Sequence, residues 1–180
     1  MDIQEEKDIL RKSCLNFRKK QNIEIISKKI VNNIKNTDYF KNAKNIMIYL
    51  PLKYETDITD LLNIDGKNFY VPKCVDNEIK VVKYEKKMQL VKSNFNVLEP
   101  VSNIYTNISI LDIVFIPALC CDLNKNRLGY GCGFYDRFLK KLNKNTIKII
   151  ISSKETCYLK IPATDFDEKA DFIINEENIL

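Results

Sequence analysis

The sequence predicts an α/β fold, a three-layer sandwich around a mostly parallel central sheet, and three observations lead there. Short apolar runs bounded by turn residues recur at Lys44–Leu50, Asp112–Pro117 and Thr146–Ser152, the pattern of strands buried on both faces. Between and before them lie segments whose apolar residues recur every three or four positions. Several runs end in proline or a polar loop, so each strand opens into a connection at its carboxyl end.

The first forty residues read as two helices broken near Lys20 to Asn22. Ile3, Ile9, Leu10, Leu15 and Phe17, then Ile23, Ile26, Ile30 and Ile34, form apolar faces with lysine and arginine opposite. Lys44–Leu50 is the first buried strand, and Pro51 to Thr56 behind it is a candidate active-site loop. Asp57 to Leu62 resembles a helix start. Lys67 to Pro72 follows the Asp65-Gly66 turn as a second strand, and Glu78 to Tyr84 follows the Asp76-Asn77 turn as a third. Asp112 to Pro117, Thr146 to Ser152 and Phe172 to Ile174 complete the sheet. With no internal repeat or linker, residues 1–180 read as a single domain.

Composition narrows the chemistry more than the formal charge of +5, which is mild and scattered. It suits a small anionic substrate better than nucleic acid, and no arginine-rich block appears. The absence of histidine excludes imidazole acid-base catalysis, serine and cysteine triads and His-ligated zinc. Six cysteines at 14, 74, 120, 121, 132 and 157 contain no Cys-x-x-Cys pair. The charged opening Met1-Asp2-Ile3-Gln4-Glu5-Glu6-Lys7 is no signal peptide and no apolar run could cross a bilayer, so reduced thiols in a cytoplasmic protein are expected. The sequon Asn107-Ile108-Ser109 is then a chance match.

Three of the four glycines fall at alternate positions in Arg127-Leu128-Gly129-Tyr130-Gly131-Cys132-Gly133-Phe134-Tyr135-Asp136. Without Cβ atoms such a run can turn successive N–H groups inward as an anion nest. Tyr135, Phe138, Leu139 and Leu142 continue it at helical spacing, with Phe138 and Leu139 as core, so the loop feeds a helix N-terminus favourable to phosphate. Arg127 would add a guanidinium clamp and Asp136 a carboxylate for a hard cation. A tight turn before a packing helix is the plainer alternative. A Walker A loop would need Gly-Lys-Ser/Thr where Gly133-Phe134 stands, and a dinucleotide fingerprint would need a strand directly before the glycines.

These residues, with others in order along the chain, resemble the 5-formyltetrahydrofolate cyclo-ligase family. Arg127 to Asp136 fits the family's Arg-Leu-Gly-x-Gly-x-Gly-x-Tyr-Asp. Lys7 to Arg11, Tyr49 to Glu55, Val71-Pro72-Lys73, Glu99-Pro100, Ile116-Pro117 and the pair Asp167 and Asp171 match its remaining marks. The resemblance implies a Rossmann-like sandwich of the NagB/RpiA/CoA-transferase type. It also implies ATP-dependent cyclisation of 5-formyltetrahydrofolate to 5,10-methenyltetrahydrofolate, with release of ADP and phosphate.

By the same resemblance ATP would be bound by Lys7, Asp8, Ile9, Leu10 and Arg11 and by Arg127, Leu128, Gly129, Tyr130, Gly131, Cys132, Gly133, Phe134 and Tyr135. Folate would meet Leu50, Glu55, Phe134 and Tyr135, with Arg127, Tyr135 and Glu55 in catalytic roles. Asp136 and Asp171 would hold Mg²⁺, and the enzyme would be a monomer acting on small molecules, with no nucleic-acid or membrane partner.

Four positions depart from the family's usual residues: Cys132, Phe134, Ile58 and Thr156. Phe134 lacks the hydroxyl of the customary tyrosine but keeps the ring, and Cys132 in a cationic loop is a candidate for a lowered thiol pKa and for oxidation that impairs ATP binding. A non-catalytic ATP or folate binder with the same fold is the alternative. An RNA-binding or scaffold role has weak support in this sequence.

Overall fold

The computed structural model describes residues 2–180. Asp2 caps α1 (Ile3–Arg18) in a reciprocal capping box with Glu5, Asn22 caps α2 (Ile23–Asn36), and Thr37 caps α3 (Asp38–Asn42). β1 (Asn45–Met47) enters the sheet next. A 3-10 turn at Thr59–Asn63 stands where a longer helix was expected. β2 (Asn68–Val75) and β3 (Glu78–Lys83) form a hairpin through Asp76 and Asn77, both at positive φ as its tight turn requires. β4 (Leu90–Lys92) and β5 (Leu98–Pro100) make a separate small hairpin. Then follow β6 (Ile113–Pro117), β7 (Cys120–Asp122), β8 (Arg127–Leu128), α4 (Phe134–Leu139), β9 (Ile147–Ile151), β10 (Cys157–Tyr158) and β11 (Phe172–Ile174).

The main sheet has the order β11-β9-β6-β1-β2-β3, parallel except for β3 at one edge. Period-two alternation divides its side chains between two cores. Ile46, Ile48, Phe69, Phe115 and Ile149 pack on one face against Ile30, Ile34 and Phe40 of α2 and α3. Met47, Tyr70, Val114, Ile116 and Ile150 pack on the other against Phe138 and Leu139 of α4. These are the three expected layers, and their continuous Ile/Val runs are apolar because both faces are covered.

The order of strands reverses at β1: β2 lies on one side of it and β6, then β9 and β11, on the other. Parallel sheets open a crevice at such a point, beyond the carboxyl ends of the strands. A second, three-stranded sheet of order β10-β7-β8 stands there, packed on α1 through Cys14, Leu119, Cys120, Leu128 and Ile161. Cys120 and Cys121, between Pro117 and the glycine loop, are buried in its β7.

α1 corrects the expected amphipathic pattern. Its buried residues are Lys7, Cys14 and Arg18, whereas Ile3, Ile9 and Phe17 are exposed. Positions 7, 11, 14 and 18 share one helical face, and that face turns inward to the crevice and the second sheet. No helix among the described residues is long and apolar enough to cross a membrane.

Candidate active site

The loops after β1 and β6, the glycine loop and α1 enclose a cavity of about 780 Å³. Its size is that of a site for a cofactor-sized ligand. Lys7, Arg11, Leu50, Glu55 and every residue from Arg127 to Asp136 line it.

Cations gather at one end. β8 pairs with β7 so that Arg127 lies opposite Cys121, which holds the start of the glycine loop against a buried strand. The Arg127 guanidinium donates from Nη2 to Asp136 Oδ1 at 2.9 Å, while its buried Nε has no partner among the described residues. Lys7 Nζ donates to Asp167 Oδ2 at 2.6 Å, and Arg11 Nε to the Gly129 carbonyl at 2.9 Å. The loop passes Arg11 so closely that a Cβ on Gly131, at φ +98°, would sit 3.2 Å from the guanidinium carbon. Gly133 at φ +67° leads into α4, whose six residues lend little dipole to an anion. Arginine and lysine side chains therefore supply most of the positive charge at this end. The orphaned Arg127 Nε shows that one donor still lacks its acceptor.

The carboxylates differ from expectation. Asp136 Oδ1 accepts from both Arg127 and the Glu168 backbone N–H. A second aspartate in the lining is Asp167, held by Lys7 and by Thr164. Burial opposes the charge of Asp167, yet those bonds prevail and keep its carboxyl below the usual range. Asp171 does not line the cavity. It precedes β11, and its carboxylate accepts the N–H of Lys148 at 2.7 Å near the amino-terminal end of β9, away from the crevice. Asp136 and Asp167 are thus the two aspartates that line the cavity, beside the glutamates Glu55 and Glu99.

Asp8, Ile9 and Leu10 also fall outside the lining. Helical geometry directs Lys7 and Arg11 inward one turn apart; Asp8 flanks Arg11 and pairs with it, Ile9 is exposed, and Leu10 packs on the cluster between α1 and the second sheet.

The rest of the cavity lining is richer in aromatic and apolar side chains. Phe95, from the loop between β4 and β5, meets Phe134 edge-on with centroids 5.3 Å apart, and Arg137 stacks over the same Phe134 ring. Glu55 is buried, accepting the Leu52 N–H at 2.8 Å. Burial pushes its carboxyl above the usual range, partly opposed by that bond, by the Arg18 charge and by the Tyr130 hydroxyl. Burial and the Glu55 charge push the Tyr135 hydroxyl up, so Tyr135 remains a neutral donor, its ring 5.6 Å from the Arg127 guanidinium. Cys74, with its thiol raised to about 12 by burial and Glu99, is unreactive here.

Arg18 and Asp167 are the residues whose roles the sequence concealed. Arg18 is buried beneath the crevice, and its guanidinium donates to the Ala118 carbonyl just after β6. The spacing of Lys7, Arg11, Cys14 and Arg18 on one helical face was the available signal.

The comparisons with known proteins agree with this architecture. The mouse 5-formyltetrahydrofolate cyclo-ligase is 28% identical over an alignment covering 96% of this chain and 90% of that protein. The NMR structure of Aquifex aeolicus 5,10-methenyltetrahydrofolate synthetase superposes with a TM-score of 0.85 at 30% identity, covering 96% of this chain and 91% of that one. A 5,10-methenyltetrahydrofolate synthetase from Mycoplasma pneumoniae gives 0.74 at 25% identity, covering 95% and 99%. The model of the 5-formyltetrahydrofolate cyclo-ligase family matches residues 3–176, and with the mixed sheet and the single cavity of loop, cations and buried glutamate behind it, the chain belongs to that family.

Proposed function

We propose that this enzyme cyclises 5-formyltetrahydrofolate to 5,10-methenyltetrahydrofolate at the expense of ATP, with the triphosphate at the cationic end of the cavity and the pterin at the apolar end. The observation that carries the reading is the meeting of both sets of residues in one cavity. Lys7, Arg11, Arg127 and the glycine loop line it together with Leu50, Glu55, Phe134 and Tyr135.

The reaction asks little of acid-base groups. The formyl oxygen attacks the γ-phosphorus, ADP departs, and the resulting iminium phosphate is attacked at carbon by N10. Loss of the N10 proton and of phosphate leaves the methenyl bridge. Such phosphoryl transfer depends on alignment and charge neutralisation, which three cations and a glycine nest supply without histidine. Arg127 Nε, lacking a partner, would take a phosphate oxygen. Tyr135 as a neutral donor and Glu55 as an acceptor would orient folate.

Asp136 and Asp167 fit a magnesium ion, which takes one or two carboxylates and fills its shell with phosphate and water. Bound there, it would neutralise triphosphate charge. Asp136 concentrates its two bonds on Oδ1, and the cavity supplies room for water beside it. Because one chain lines the whole cavity, we expect a monomer to be active.

The direct test is purified protein with 5-formyltetrahydrofolate and Mg-ATP, followed by the absorbance of the methenyl product. Product formation is expected. Its absence from folded protein that still binds ATP would instead favour a non-catalytic binder.

A further inference from the structure

We propose that Cys121 and Cys157 form a thiol-disulfide modification site that accepts low-molecular-weight disulfides and whose closure weakens ATP binding. The two residues are register partners on the parallel strands β7 and β10, and their sulfurs lie 3.2 Å apart. Neighbouring strands run about 4.8 Å apart, inside the Cα separation of about 4.4–6.8 Å that a disulfide needs, so the bond can close with a local shift and no change of strand pairing.

The pair is also divided in the manner of an attacking and a resolving thiol. Cys157 is half-buried and reachable, and its sulfur receives contacts from Cys121 and Asn175 that lower its pKa. Cys121 is fully buried, and burial with the adjacent sulfur raises its thiol. The Cys157 thiolate would attack a disulfide such as oxidised glutathione, forming a mixed disulfide and releasing one thiolate. Cys121 sulfur, losing its proton, would then attack Cys157 sulfur and expel the second thiol. Two protein thiols are oxidised and one small disulfide is reduced to two thiols.

The placement gives this site its consequence. Cys121 has Cys157 on one side and Arg127 on the other, through the β7–β8 pairing. β8 delivers Arg127 and the glycine loop, and the segment after β10 delivers Asp167. Closing the bond draws the sulfurs together by about 1 Å. The pull falls on the two segments that hold the opposite sides of the proposed phosphate and cation site. Cys14 on α1 and Cys120 packed against it are both fully buried and out of reach of a small disulfide.

The experiment equilibrates the protein with oxidised glutathione, maps disulfide peptides by mass spectrometry and measures the Kd for Mg-ATP by titration, in wild type and in Cys157→Ser. The mapping needs no turnover, so it stands apart from the cyclo-ligase reading. A 121–157 cross-link is expected, together with a Kd weakened on the order of tenfold, since an ångström of misplacement has effects of that size or larger. Dithiothreitol should restore the affinity, and Cys157→Ser should bind like reduced wild type throughout. Absence of the cross-link overturns the proposal, as does a cross-link with unchanged Kd. Weakening that persists in Cys157→Ser overturns it too, and points to the exposed Cys132.

Discussion

Arg127 donates to Asp136 at 2.9 Å across the mouth of the glycine loop, so a phosphate-seeking guanidinium is already paired with a carboxylate proposed for the metal. The pair holds the loop's first residue to the first turn of α4, nine positions on. It also leaves Arg127 Nε buried without an acceptor among the described residues. A triphosphate with its cation would answer both deficits, giving the oxygen to Arg127 and the metal to Asp136.

Arg127→Ala is expected to lower turnover by at least about 10²-fold, the usual effect of removing one donor to developing charge. It should cost about 1–3 kcal/mol in stability by leaving Asp136 without its partner. Circular dichroism and urea unfolding separate the two effects. Wild-type turnover in the variant would remove Arg127 from the mechanism.

Asp167 and Asp171 make a paired test. Asp167→Asn should raise the magnesium concentration needed for half-maximal rate by roughly tenfold, in line with the loss of one carboxylate from a sparse site. Asp171→Asn should leave the magnesium titration unchanged and only loosen the start of β11, because its carboxylate binds the Lys148 N–H outside the cavity. The reverse pattern would restore Asp171 as the ligand.

Gly131→Ala places a methyl 3.2 Å from the Arg11 guanidinium carbon, on a backbone at φ +98° that side chains rarely adopt. We expect KM for ATP to rise by about tenfold or more, with a loss of about 1–2 kcal/mol from the strained turn. The same substitution at Gly129 has no positive φ to violate and should be milder, which initial-rate kinetics on the two variants can compare.

Glu55→Gln should trade affinity for stability. Because burial raises the folded carboxyl above its unfolded value near 4.3, the folded protein binds more protons between those two values. Stability from this group therefore falls as pH rises through that window, and above it the buried charge is a standing cost. Glutamine removes the cost and keeps an acceptor for the Leu52 N–H. The variant should gain about 1 kcal/mol at neutral pH, with a flatter Tm-against-pH curve above pH 4, while KM for the folate rises about tenfold. Unchanged KM would take Glu55 out of folate binding.

The strands of the main sheet were legible because burial on both faces leaves a continuous apolar run, as in Ile113 to Ile116, and Phe172 to Ile174 stands in the structure as read. The shorter strands were not. Cys120–Asp122 and Arg127–Leu128 are strands only through one another and through Cys157, and residues so few carry no period of their own. α1 misled for a different reason. Its apolar residues Ile9 and Phe17 are exposed because the helix turns Lys7 and Arg11 to the cavity and Arg18 onto the buried Ala118 carbonyl, so polar contacts rather than amphipathic order set its inward face.

By itself the sequence determined the layers, the glycine loop and the family, since apolar periodicity and glycine spacing are local consequences of backbone geometry. That Asp167 rather than Asp171 lines the cavity with Asp136 was decided by the tertiary structure. Four residues separate those last two in the chain, but the second enters a parallel strand whose amino-terminal end lies away from the crevice. The chain's direction through the sheet, a non-local property, determines which carboxylate meets Lys7.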